Sequence, residues 1–275
     1  MPILVYSLGE ALDREACIRW LARDPIQNLM LLGDLYPPLI DVSDVYVAIE
    51  EGDIVGVGSL FRGFPTPSVI ITESNLVVQN TLLSRMSGDL ETEWMTVSNS
   101  ASSSIFRKFG NLIHSHTERQ MLLRKPITAR EKPARLIQRE EFDSLDQFYV
   151  EHQAEAWTPP MFEMGPYYGV WCNDQLISAA GTHFVTPFIA QIGNVFTHPK
   201  FRGRGYATAA TIAVTNHLRR MGIKIISLFV VDQNEPAIRI YERLGFVKER
   251  ELIFAHYAST GSLYHDTYRA VGSNQ

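Results

Sequence analysis

The chain has 275 residues, of which 45% are hydrophobic and 20% charged, and a formal net charge of -5 at pH 7. That length suits two cores of ordinary size better than one, and the apolar fraction excludes a wholly disordered or collagenous chain. The negative balance argues against nucleic acid as a partner, because a duplex binder needs a basic surface to displace counterions.

Among its most apolar runs, Ile225 to Val231 falls far short of the roughly 20 residues that cross a bilayer, and MPILVYSLGE has no basic n-region. No membrane partner is expected. Two cysteines, Cys17 and Cys172, with no zinc-like Cys/His spacing, suit a cytoplasmic protein without a metal.

In chain order, Tyr46 to Leu60 reads as a β-hairpin: an apolar run, a polar turn at Glu51-Gly52-Asp53, then a second small and apolar run. Val69 to Thr72 is a strand. The following residues, Glu73 to Asn80, contain neither glycine nor arginine. Ile105 to Gly110 reads as a helix end with an αL glycine cap. His114 and His116 alternate on one strand face, without a third metal ligand nearby. Arg124 to Pro133, punctuated by prolines and charges, reads as a linker.

Beyond it the pattern repeats. Glu140 to His152 is predicted as a helix, and Tyr168 to Thr182 aligns without gaps on Tyr46 to Leu60 as a second hairpin. Ile189 to Thr197 is a strand. Tyr206 to Met221 places Ala207, Ala210, Val214, Leu218 and Met221 on one helical face. Ile225 to Val231 is a buried strand, Glu235 to Leu244 a helix with Asn234 as N-cap, and Glu251 to Tyr257 and Leu263 to Tyr268 are closing strands. From Gln175 to Val231 there is no acid in 57 residues. An even spread would place roughly six there. An anionic ligand and a buried, charge-excluding sheet both account for that.

Between the Ile189 strand and the next helix runs Arg202-Gly203-Arg204-Gly205-Tyr206-Ala207. Glycines at a strand-to-helix turn let backbone N–H groups converge on a phosphate, and the helix N-terminus adds positive potential. Together with the later Asn234, Ala237, Tyr241, Gly245 and Phe246, this resembles the GNAT superfamily of acyl-CoA-dependent N-acetyltransferases, nearest to its glycine N-acyltransferase-like branch. The resemblance covers about a fifth of the chain, Gln191 to Glu249.

The resemblance implies an α/β (α+β) fold of two tandem GNAT-like domains, each a mixed, largely antiparallel twisted sheet flanked by helices. Residues 1–125 would be a degenerate copy without a pyrophosphate turn, 126–134 a linker, and 135–275 the catalytic domain. Acetyl-CoA would lay its pantetheine along Val195, Phe196 and Thr197. Its pyrophosphate would rest on Arg202, Gly203, Arg204, Gly205, Tyr206, Ala207 and Thr208, with Asn234 on the cofactor arm. Tyr241 would give a proton to the departing thiolate.

The residues also admit plainer roles. Asn234 serves equally as a helix cap and Tyr241 as core, and His198 and Pro199 are turn residues. Many family members carry a glutamate on the strand before the glycine turn, and here that strand has no acid. His152, Glu155, Glu163 and His183 are candidates for the base. Cys172 reads as a small buried hydrophobe rather than an acyl relay. The expected activity is acetyl transfer to a primary amine by direct attack, in a monomer or homodimer; the alternative is a non-catalytic acyl-CoA sensor.

Overall fold

The computed structural model describes residues 2–10, 12–90, 92–127, 133–154 and 156–259. The expected strand at Leu263 to Tyr268 lies outside them, as does much of the expected linker.

The chain forms two compact units, one of Met1–Arg23, Val42–Thr117 and Glu251–Gln275, the other of Asp24–Asp41 and Glu118–Arg250. This partition differs from a division at 126–134. The reason lies in the strands: each unit takes backbone pairing from the opposite half of the sequence.

The first unit begins with β1 (Leu4–Ser7) and α1 (Arg14–Leu21), whose N-terminus is capped by Asp13 accepting from the Ala16 N–H. After α2 (Leu29–Asp34), which belongs to the second unit, come β2 (Ser43–Glu50) and β3 (Asp53–Phe61). These two make the expected hairpin, its turn held by Glu51 and Gly52 at positive φ. Then follow β4 (Ser68–Ile71), α3 (Leu76–Met86), β5 (Glu93–Ser98), α4 (Ser100–Phe106) and β6 (Gly110–Leu123). Strands β1 to β5 are neighbours in sequence order, with β4 and β5 parallel. The far edge of β5 is paired by residues 253–258 from the end of the described chain. There Trp94 stacks on Tyr257 at 4.5 Å, with Phe106 beside both.

The second unit uses the end of β6, then β7 (Arg135–Leu136), α5 (Phe142–Glu151), β8 (Tyr168–Cys172), β9 (Gln175–Val185), β10 (Ile189–Thr197), α6 (Tyr206–Arg220), β11 (Ile225–Val231), α7 (Glu235–Arg243) and the start of β12 (Phe246–Ser259). What reads as two closing strands thus begins as one long strand, β12. The sheet runs β7-β8-β9-β10-β11-β6, antiparallel except for the β10–β11 pair. Ala210, Val214 and Leu218 of α6 and Ile238, Tyr241 and Leu244 of α7 pack with Ile192, Ile226 and Leu228 in one core. Each fully buried Val, Ile or Leu there contributes about 1.5–3 kcal/mol.

Segment 24–41 joins this unit through polar and apolar contacts. Gln120 donates to the Ile26 carbonyl at 3.1 Å, and Arg250 donates to the Gln27 carbonyl at 3.1 Å and to Gln120 at 2.6 Å. On α2, Gly33 lies against the Phe184 ring; a Cβ there would sit 2.6 Å from Cδ1. The glycine permits the close approach.

Candidate active site

Strands β10 and β11 pair from Ile189↔Ile225 to Ile192↔Leu228 and then part. From Gly193 onward β10 remains bonded only to β9 on its other side, while β11 continues along β6. The separation leaves a half-buried backbone edge over Val195, Phe196 and Thr197. Backbone donors and acceptors in such a place need a partner, and an extended amide-bearing ligand supplies one by strand addition. Two bulges frame the parting. His183 is the residue skipped in β9 between the pairs Gln191↔Phe184 and Ile192↔Thr182, and an extra residue lies in β10 between Gly193 and Phe196, where Asn194 has φ +53°.

At the end of β10 the chain makes a short 3-10 turn, Pro199–Phe201, with His198 accepting from the Lys200 N–H. Gly203 and Gly205 follow at φ +75° and +81°, a region that glycine enters without steric cost. Gly205 is the N-cap of α6 and provides no side-chain bond to the first turn. The leading N–H groups at Tyr206, Ala207 and Thr208 thus receive no bond from an N-cap side chain, and such a helix end suits an anion. Arg202 donates to the Thr197 carbonyl at 3.2 Å and lies over the Phe196 ring; Arg204 lies over Phe201. Both guanidinium groups therefore border the turn.

The corresponding helix of the first unit is closed differently. Asn75 caps α3 by accepting from the Val78 N–H at 3.0 Å, and Glu73 stands in the turn, receiving a hydrogen bond from Asn99. A carboxylate and an occupied helix end both oppose phosphate binding.

Asn234 caps α7, its Oδ1 accepting from the Ala237 N–H at 3.2 Å. That bond uses the oxygen alone, so the exposed amide NH₂ can serve a second partner. Tyr241 is 7% exposed and packs edge-on against Phe246. Burial pushes its hydroxyl well above the ordinary phenol range, which keeps the proton on oxygen. No hydrogen bond engages that hydroxyl among the described residues.

The candidates for the base separate. Glu155 lies outside the described residues. Glu163 is half exposed and pairs with Arg139 at 3.3 Å. His152 donates from Nδ1 to the Phe148 carbonyl at 2.7 Å, with its ring among Phe148, Phe196 and His198. His183 sits beside the parting of the strands, and burial of its imidazole lowers the pKa to about 4, with the neighbouring Asn194 amide opposing the shift. The geometry gives no hydrogen bond to its sealed Nε2. Cys172 is exposed at the hairpin turn, not a buried hydrophobe, because it ends its strand beside Asn173 and Asp174. His114 packs edge-on to His256 and His116 stacks on Phe254. Among the described residues no group of three or more His, Cys, Asp or Glu could hold a metal ion, and no helix is long and apolar enough to cross a membrane.

Sequence reasoning missed a polar network behind the bulge. Tyr149 donates to the Asn194 carbonyl at 2.6 Å, Asn194 donates to the Tyr167 hydroxyl at 3.1 Å, and that hydroxyl donates to the Thr182 carbonyl at 2.7 Å. The one signal in the sequence is Gly193-Asn194 inside a strand, a pair that marks bulges.

Residues 134–246 match the acetyltransferase (GNAT) family. An uncharacterized N-acetyltransferase of Methanocaldococcus jannaschii is 38% identical over 65 residues, 24% of this chain and 28% of that protein. A mycothiol acetyltransferase of Thermomonospora curvata is 30% identical over 99 residues, 35% of this chain and 31% of that protein. The chain thus spans under a third of the length of these curated relatives. Among solved structures, a tandem GNAT protein from the clavulanic acid biosynthesis pathway superposes with a TM-score of 0.59 at 14% identity, covering 94% of this chain and 98% of that one. A GCN5-related N-acetyltransferase from Sphaerobacter thermophilus gives 0.60 at 16% identity, covering 93% and 95%.

Proposed function

We propose that the protein transfers an acetyl group from acetyl-CoA to a primary amine, a reading supported by the match of residues 134–246 to the acetyltransferase (GNAT) family. The observation carrying this reading is the junction of two features on one strand: β10 leaves β11 after Ile192, and the same strand runs directly into the glycine turn and the uncapped end of α6. One feature suits the amides of a pantetheine arm and the other its pyrophosphate.

In this reading Val195, Phe196 and Thr197 hold the arm, residues 202 to 208 take the phosphates, and the Asn234 amide steadies the arm from the N-terminus of α7. Bound there, acetyl-CoA would supply a thioester activated toward amines. Tyr241, neutral and buried, gives its proton to the departing sulfur. One observation favours the alternative of an acyl-CoA sensor: β10 carries no carboxylate to take a proton from the amine.

Calorimetry with acetyl-CoA, followed by thiol release over a panel of amines, tests the proposal. Tight binding with amine-dependent release is expected. Binding without release from any amine favours the sensor, and no binding defeats both.

A further inference from the structure

Ala190 and Ile192 face the core beneath α6 and α7, so by alternation Gln191 and Gly193 face the opposite side of the sheet. There the bulge in β9 aims His183 across its neighbour strand, as bulges beside functional sites do. The ring lies over Gly193, the first residue of β10 past its ladder with β11. A side chain at 193 would run into Nε2, Cδ2 and Cε1 of that ring, so the glycine makes the room.

The surroundings of His183 are short of hydrogen-bond partners. Its Nε2, both amide atoms of Gln191 and Asn194 Oδ1 are all sealed from solvent without a bond. Leaving a buried polar group unmade costs about 1–3 kcal/mol. Several such atoms at one place point to a ligand or water that completes them.

We infer that His183 is the catalytic residue that accepts the proton released by the acceptor amine, with Gln191 and Asn194 holding that amine beside it; this rests on the acyl-transfer reading above. The nitrogen of the neutral amine forms a bond to the thioester carbon, and the carbon–sulfur bond breaks with its electron pair left on sulfur. The surplus proton on nitrogen passes to His183 Nε2, and sulfur takes the Tyr241 proton. Once the products leave, water entering the vacated site carries a proton from the imidazolium to the phenolate, so amide and free thiol are the net products.

The test uses the full chain with acetyl-CoA and two probes, methylamine and hydroxylamine. The proton shed by attacking methylamine needs a base, whereas that of the weakly basic hydroxylamine leaves to water more readily. In His183→Ala, turnover with methylamine is expected to fall by about 10²-fold, with the loss for hydroxylamine only a few-fold and acetyl-CoA affinity unchanged. Equal losses with both amines, or no loss with either, would overturn the assignment. Should His183→Ala not hold its fold by circular dichroism, Gly193→Ala decides. Its methyl displaces the ring while keeping every polar group, and the same methylamine-selective loss is expected; unchanged rates count against His183. A wild-type protein that binds no acetyl-CoA overturns the acyl-transfer reading itself. One that binds acetyl-CoA but transfers to neither amine overturns His183 as proton acceptor and leaves the cofactor groove standing.

Discussion

Replacing Tyr241 by Phe removes one oxygen and keeps the ring against Phe246. Because no hydrogen bond among the described residues is lost, thermal stability should change little. Turnover should fall about 10² to 10⁴-fold, toward the lower end because a thiolate leaves readily, with acetyl-CoA affinity nearly constant. Steady-state kinetics and calorimetry check both halves. His183 adds a pH effect on stability. Its folded pKa of about 4 lies below the ordinary 6.5, so the unfolded chain binds the proton more readily. The associated stability is present above about pH 6.5 and is lost as pH falls toward 4, by on the order of 3 kcal/mol at most. Urea midpoints should drop between pH 7 and pH 5, and drop less in His183→Gln. At this scale the residues of the glycine turn were legible, since arginine and glycine at a strand end carry their chemistry locally. Asn194, Tyr149 and Tyr167 were not, because their network joins residues 45 and 27 apart in sequence. No local pattern records that meeting.

The two strand-to-helix turns make a controlled pair. Where α6 begins with an uncapped glycine flanked by arginines, α3 begins with a capping asparagine and a nearby carboxylate. Gly205→Glu should abolish acetyl-CoA binding, since it puts a side chain and a negative charge into the proposed phosphate cradle and strains a residue at φ +81°. Unchanged affinity in calorimetry, with the fold intact, would remove this turn from the binding site. Gly33→Ala tests a different approach: the added methyl meets the Phe184 ring and should cost about 1–3 kcal/mol in a denaturation experiment. Apolar periodicity made α6 and both hairpins readable, because each buries one face. The short helix α2 escaped notice. Its sequence Leu-Met-Leu-Leu-Gly-Asp is apolar almost all round, and what fixes it is contact with a strand far along the chain.

At the scale of the whole chain, the expected break at 126–134 and the observed units differ because pairing ignores sequence halves. Residues 118–122 pair with β11, and residues 253–258 pair with β5. Fragments 1–125 and 126–275 expressed separately should therefore each lack a strand and show no cooperative unfolding, while co-expression restores a transition like that of the intact chain. A sharp transition in either isolated fragment would contradict this. The same pairing also fixes an order of events on the ribosome. The edge of β5 emerges early, yet its partner is among the last described residues to be made, with more than half of the chain translated in between. The first unit thus cannot close while it is being synthesised, and its Trp94 edge stays open until the second unit has already left the exit tunnel. An unpaired strand edge is a template for other chains. Nascent copies crowded on one message are therefore expected to meet through this edge, and a chaperone holding β5 until residues 253–258 emerge should raise the yield.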